Sequence, residues 1–406
     1  MGRSTSFVLL LPFLIAPACS PPETSSLRSG NPRPADVERP RDPSADDPED
    51  PEDLEPLAPI DVDEPVDADT DETSPIDPTT DAGADADAGA DTVASAIVDE
   101  HACIDDPIRA RGQIDFGAKK NPILEYPNRA VKDLAVRYDG GAFRMLFSDI
   151  RATPNFRFRI GLLSSATLTG WSGTPQLWDD PALGGLASPD VTRFGNGEWL
   201  VTFNSHTRDV VGKLPKLYAR TTRDFVTFGP ARRIARSLYP TDERLIDAAV
   251  AHAPIGLILA YKRSQTFTLA HAPSGRIEGP WTVLGAPAIE GLENYQFLRI
   301  DGAWHLLGTS LAGHRPTLFR LEGDPSKPRD WLRWTKIRSL EVPQEDWNRD
   351  ERANAAFLCD ARAADGFWYL FYAGSSPDPR GDRFEGRGHA KIGIARSRDL
   401  VRWSVP

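Results

Sequence analysis

The chain has 406 residues and a formal net charge of −12. That average hides a division: residues 20–100 hold 25 acidic and 4 basic side chains and no aromatic residue, whereas residues 101–406 hold 34 acidic and 42 basic ones. The first stretch buries too little apolar surface to offset chain entropy. The second is mildly basic, but no Lys/Arg run interleaved with aromatics points to nucleic acid.

The chain opens as an export signal. Arg3 supplies the positive start, and Phe7–Ile15 is an apolar run of nine residues, too short to span a bilayer. Small residues lead to Cys19, which resembles the lipidated cysteine of bacterial lipoproteins. An ordinary signal peptide cut at Ala18 is the alternative. Residues 1–19 are read as the signal and 20–100 as a disordered, self-repelling acidic tether. Asp81–Asp91 lacks the ligand pattern and closing Glu of a calcium loop. The expectation is an exported protein, attached to a membrane through its N-terminal lipid only or secreted.

Residues 101–406 repeat one plan five times, at intervals of roughly 45 to 60 residues. Each unit has a polar opening, an alternating strand, a turn and a second strand ending in small polar residues. A third strand and a Trp or Phe usually follow. The first opens at Asp133 and runs to Trp171; the second opens at Pro189-Asp190; the third at Ile246-Asp247, ending at Trp281; the fourth at Glu293, ending at Trp331; the fifth at Asn354, ending at Trp403. Asp139-Gly140, Gly195-Asn196-Gly197, Asp301-Gly302 and Asp365-Gly366 predict tight hairpins. No amphipathic pattern of helical length interrupts them. The fold class is all-β, a five-bladed β-propeller. A β-sandwich array explains the strands but not five similar openings. Cys103 and Cys359 lie at the start and in the last unit of this domain; export makes a disulfide between them plausible, and two separate buried thiols are the alternative.

In a propeller the first strand of each blade lines a central channel, so the openings Asp133, Asp190, Asp247 and Glu293 converge at one mouth. Carboxylates gathered in one pocket repel, which separates their pKa values and suits acid–base work on a glycosidic bond. The ends of the second strands face the same mouth and nominate Ser148, Asp149, Asn204, His206, Lys262 and Arg263 for hydroxyl recognition. Tyr295 and Gln296 follow Glu293, and alternation places one of them on its face. The tryptophans at repeat ends are read as blade core.

These openings resemble those of glycoside hydrolase families 43 and 62, inverting enzymes of one clan. Val131-Lys132-Asp133 is similar to the first-blade motif that bears the general base, and Ala187–Asp190 to a second-blade segment that lines the site. Leu245-Ile246-Asp247 resembles the third-blade Asp that orients the acid. Leu292-Glu293-Asn294, nine residues before Gly302, is similar to the fourth-blade acid, with Glu290 as a competitor. The resemblance implies catalytic roles for Asp133, Asp247 and Glu293. It implies a site-lining role for Asp190 and an arabinofuranosidase-like activity on a plant-type polysaccharide; with the positional nominees, the substrate contacts expected are Asp190, Asn204, His206, Lys262, Tyr295 and Gln296. Glu351–Asn354 stands where many members carry a His near a central metal such as calcium, so no metal and no cofactor is assigned. A monomer is expected. The alternative from another class is a surface propeller that binds glycan without turnover. Fructan hydrolysis on the related fold is disfavoured, because its usual opening motif is missing.

Overall fold

The computed structural model describes residues 101–151, 157–194, 196–206, 214–238, 243–376 and 389–406, all within the unit Gly89–Pro406. The signal segment with Cys19, the acidic tether and the insert 377–388 lie outside the described residues.

Five antiparallel sheets follow one another along the chain. Blade one is β1 (Ala130–Asp139), β2 (Ala142–Arg151), β3 (Arg157–Ser165) and β4 (Gln176–Trp178). Blade two is β5 (Leu186–Arg193), β6 (Trp199–Ser205), β7 (Leu217–Thr222) and β8 (Arg232–Arg233). Blade three is β9 (Leu245–Ala253), β10 (Gly256–Arg263), β11 (Thr266–Ala272) and β12 (Thr282–Gly285). Blade four is β13 (Leu292–Ile300), β14 (Ala303–Ser310), β15 (Arg315–Leu321) and β16 (Trp334–Ser339). Blade five is β17 (Glu351–Asp360), β18 (Trp368–Ser375) and β19 (Lys391–Ser397). The inner strands pack in a ring: β1 beside β5, β5 beside β9, β9 beside β13, β13 beside β17, and β17 beside β1. This is a five-bladed β-propeller.

Adjacent inner strands diverge from the axis, so side chains sew them together. The Arg137 guanidinium donates to the Val191 carbonyl. Thr192 Oγ1 donates to the Val250 carbonyl at 2.9 Å. Gln296 forms a two-way clamp on Leu358, donating to its carbonyl at 2.9 Å and accepting from its N–H at 2.8 Å. Each bond satisfies a buried backbone group that the sheet leaves over.

The repeat-end tryptophans Trp171, Trp281 and Trp331 are buried, and each indole N–H donates to a nearby backbone carbonyl. They close blades and offer no face to a sugar. The Asp301-Gly302 turn has both residues left-handed, at φ 49° and 80°, as a two-residue hairpin turn of this hand requires. Asp365-Gly366 differs from expectation. A short helix, Arg362–Asp365, fills the gap between β17 and β18, and Gly366 caps it at φ 87°.

The ring is closed by the start of the domain. Blade five contributes three strands of its own, and residues 123–124 lie along β19 as a short fourth. Ile123 N–H donates to the Ile392 carbonyl at 2.8 Å, and Ile392 N–H to the Leu124 carbonyl at 2.9 Å. The Asn121 side chain continues the ladder, donating to and accepting from Ile394 at 2.9 Å each way. Cys103 is disulfide-bonded to Cys359 of β17, across 256 residues of sequence. Linking such distant positions restricts the unfolded chain most. Cys103→Ser/Cys359→Ser is expected to lose roughly 2–5 kcal/mol of stability, read as a lowered thermal midpoint that added reductant reproduces in the wild type; an unchanged midpoint refutes it.

Candidate active site

The channel mouth is built by one backbone device used five times. In each inner strand two residues oppose a single residue of the second strand. Residues 133–134 face Phe147, 188–189 face Phe203, 247–248 face Tyr261, 294–295 face Gly308, and 355–356 face Tyr372. The first residue of every pair is left-handed: Asp133 at φ 50°, Ser188 at 53°, Asp247 at 58°, Asn294 at 54° and Ala355 at 47°. Such bulges break the strand's alternation and re-aim a side chain. All five left-handed residues line one pocket on the axis. Asp and Asn are among the non-glycine residues that tolerate this conformation best, and three of the five positions carry them.

The preceding blade holds several of these bulges in place. Ser188 N–H donates to Ser148 Oγ at 2.9 Å, Asp247 N–H to Asn204 Oδ1 at 3.2 Å, and Ala355 N–H to Thr309 Oγ1 at 2.9 Å. Ser148, Asn204 and Thr309 occupy the same register position, opposite the residue before each bulge. In blade three that position is Lys262. Its ammonium turns instead to Glu293 Oε2 at 3.0 Å.

Three acidic side chains meet here. Asp133 is buried and accepts at both oxygens, from Ser148 Oγ at 2.8 Å and from Asn294 Nδ2 across the channel at 2.9 Å. Asp247 is buried beside it. Burial first, then the charges of Glu293 and Asp133, push its carboxyl up to about 6, against the Ser188 hydroxyl and the Lys262 ammonium. Glu293 sits at the rim, with its side chain 18% exposed. Burial and the charges of Asp247 and Glu293 also raise the Tyr295 hydroxyl well above its ordinary value, which marks Tyr295 as a wall of the same site. Two buried carboxyls with an acid and a cation at the rim form a proton-handling site open to solvent on one side.

Comparisons of the whole chain give the arrangement a setting. No protein-family model matches the sequence, and no curated protein matches it. Solved structures do match. The catalytic domain of a Coprinopsis cinerea GH62 α-L-arabinofuranosidase is 14% identical, covering 68% of this chain and 94% of that one with a TM-score of 0.50. A glycosyl hydrolase from Bacteroides ovatus is 11% identical, with 72% and 95% covered and a TM-score of 0.50. A structure from the GH130 family of mannoside phosphorylases, which contains glycoside hydrolases that target β-1,2 mannosidic linkages in Candida mannan, is 11% identical, with 72% and 95% covered and a TM-score of 0.51. The fold is that of the five-bladed propeller glycosidases.

Within this propeller the bulges revise the alignment of openings read from the sequence. Asp133 and Asp247 are equivalent, but Asp190 is not their counterpart: Ser188 is. Asp190 is the first paired residue past its bulge, level with Gln296 and Phe357 and deeper in the channel. Glu293 falls one residue before its bulge, and Asn294 occupies the position of Asp133. The fifth opening, Asn354, likewise falls one residue before its bulge at Ala355. A bulge adds a residue without disturbing apolar periodicity, so equal spacing in sequence misplaced three openings by one or two positions.

The remaining nominated residues divide. Lys262 faces the site through Glu293. Asn204 is buried and supports the Asp247 backbone rather than facing a ligand. Gln296 lines the pocket, yet its amide is engaged by Leu358 at both ends; Tyr295 donates its hydroxyl to the Leu292 carbonyl at 2.6 Å. Both therefore offer shape, not free polar groups. His206 stacks on Phe158 with ring centroids 3.6 Å apart, beside the mouth. Asp149 is fully buried between Arg129 and Arg159, and Arg263 pairs with Glu243. Glu290 is bound by Ser310 and Lys336, outside the pocket lining. Ser148, Asn294 and Thr309 act at the site as supports. The recurrent small polar residue at the end of strand two is the sequence signal for Ser148 and Thr309; nothing local announced Asn294.

Asp190 provides a test of the channel's polarity. Burial raises its carboxyl to about 6, against the Arg137 guanidinium and the Val191 and Val250 backbone N–H groups. The folded protein thus keeps a proton that the unfolded chain releases near pH 4. That contribution to stability is full below pH 4 and is lost as pH rises through 6. Asp190→Asn cannot lose the proton, so it is expected to gain up to roughly 3 kcal/mol on the wild type between pH 4 and pH 7. Denaturant titrations at both pH values measure this, and a difference that does not change with pH contradicts it.

Proposed function

We propose that this propeller is a glycosidase that removes terminal pentose, chiefly α-L-arabinofuranosyl, units from a plant-type polysaccharide by inverting single displacement. The observation that carries the reading is the convergence of Asp133 and Asp247, both on strand bulges lining one pocket, with Glu293 at its rim. The GH62 fold likeness supports the choice of sugar.

The chemistry follows from the positions. Asp133, anchored at both oxygens, takes a proton from a water as that water's oxygen bonds to the anomeric carbon. The bond from that carbon to the leaving oxygen breaks, and the leaving oxygen receives a proton from the Asp247–Glu293 pair. Glu293 at the rim delivers it, and the buried Asp247 is the member of the pair that burial inclines to hold a proton. Neighbouring carboxyls share protons in this way, as a pair rather than as individuals. Lys262 balances the charge that remains after transfer. Ser148 and Asn294 are positioning residues for Asp133.

A second reading draws on the same lysine. Lys262 already neutralises Glu293 at 3.0 Å, which suits a glycan-binding propeller without turnover. In either case the tether and Cys19 lipid would hold the exported protein at a membrane surface, a reading supported by the N-terminal sequence.

Aryl α-L-arabinofuranosides and arabinose-bearing polysaccharides, with product anomers followed by NMR, decide between the two. The wild type is expected to release the inverted sugar. Asp133→Asn and Glu293→Gln are each expected to lower kcat by about 10²–10⁴-fold with KM little changed. Glycan binding without turnover in all three proteins selects the binding reading.

A further inference from the structure

Outward from Asp133, one face of blade one turns cationic. On β2 and β3, Asp149 pairs with Arg159, and Arg151 pairs with Arg157 two residues further out. Strand geometry puts these four on one side of the sheet, opposite the side on which Ser148 meets blade two. Arg129, just before β1, joins them. Asp149 is fully buried, with one oxygen taken by Arg129 and the other by Arg159, each at 2.7 Å. Arg157 is paired with Asp179. Arg151 is different. Among the described residues it has no acidic partner in contact, whereas Arg129, Arg157 and Arg159 each have one; its Nε, like that of Arg159, is buried without a hydrogen-bond partner. Burial, and then the guanidiniums of Arg129 and Arg159, hold Arg151 below the usual arginine range, with only Asp149 opposing.

Three guanidiniums around one carboxylate that is already doubly bound leave a local excess of positive charge. A buried donor without an acceptor adds to the cost. The cluster lies close to the chemistry. Ser148, which donates to Asp133, is three residues before Arg151 on the same strand, a distance of about 10 Å. On the glycosidase reading, a glycan with one unit at Asp133 would bring a neighbouring unit within reach of this face. Domain charge agrees: residues 101–406 carry 42 basic against 34 acidic side chains, a bias that favours approach of a polyanion.

We propose that the Arg129–Arg151–Arg159 face binds an anionic substituent of the glycan, a carboxylate or a sulfate ester, so that the preferred substrate is an acidic polysaccharide. The inference rests on the glycosidase reading only in placing a glycan in the pocket. A planar guanidinium offers paired N–H donors to either group, and among the described residues Arg151 is the member of the cluster without an acidic partner.

The test is calorimetric binding by the full-length chain carrying Asp133→Asn, which keeps ligands intact. The probes are arabinoxylan oligosaccharides bearing glucuronate, the same oligosaccharides with carboxyls reduced to alcohols, and sulfated pentose oligosaccharides. Glucuronate or sulfate ligands are expected to bind about tenfold or more tightly than the reduced ones; whichever anion leads identifies the source. Adding Arg151→Gln is expected to remove that preference while leaving affinity for reduced ligands unchanged, and Arg151→Lys to keep part of it. Equal affinity for charged and reduced ligands overturns the proposal, as does a preference that survives Arg151→Gln in a protein with an unaltered thermal midpoint. Turnover of neutral substrates without charge preference defeats this proposal and spares the glycosidase. Charge preference without any turnover in the wild type does the reverse.

Discussion

Five inner strands bring one side chain each to a single pocket on the axis, and a bulge in every strand is the device that aims them there. Two residues opposing one turn the strand locally, and the left-handed residue at each turn looks into the pocket. The turn leaves an N–H without a ladder partner. Ser148, Asn204 and Thr309 answer it from the neighbouring blade. The same bonds that seat the bulges thus lock one blade to the next, so site geometry and ring integrity share their supports. Ser148 shows the economy of this: its hydroxyl accepts from Ser188 and donates to Asp133.

The electrostatics follow from departures within that repeat. Blade three places Lys262 where its neighbours place a neutral polar group, and the freed ammonium reaches Glu293. Blade four places Asn294 where blades one and three place Asp133 and Asp247, and its amide binds Asp133 instead of repelling it. Blade five places Ala355 there. Two carboxyls, one amide, one hydroxyl and one methyl therefore share five equivalent seats. A fully acidic ring would be too costly to bury; this mixture leaves the charge that Asn294 and Lys262 can manage.

Closure of the ring depends on parts far apart in sequence. Residues 121–124 complete the edge of blade five, and Cys103 is bonded to β17. The start of the domain therefore stabilises the last blade, and Asp133, Ser148 and Asn294 stay in register only while blades one and four remain in one closed circle.

Repeat length, alternation and turn residues determined the five blades from sequence alone, because each blade is a local unit whose hairpins obey local rules. The tryptophans that close blades were legible for the same reason. Asp133 and Asp247 were legible as acidic residues at matching openings. The pairing of Asn294 with Asp133, the salt bridge from Lys262 to Glu293 and the deeper seat of Asp190 were not. Those depend on a bulge that shifts register by one residue without altering the apolar pattern, and on contacts between blades separated by 31 to 161 residues of chain. Spacing along a strand is a local quantity; which side chain faces which across the channel is decided only when the ring closes.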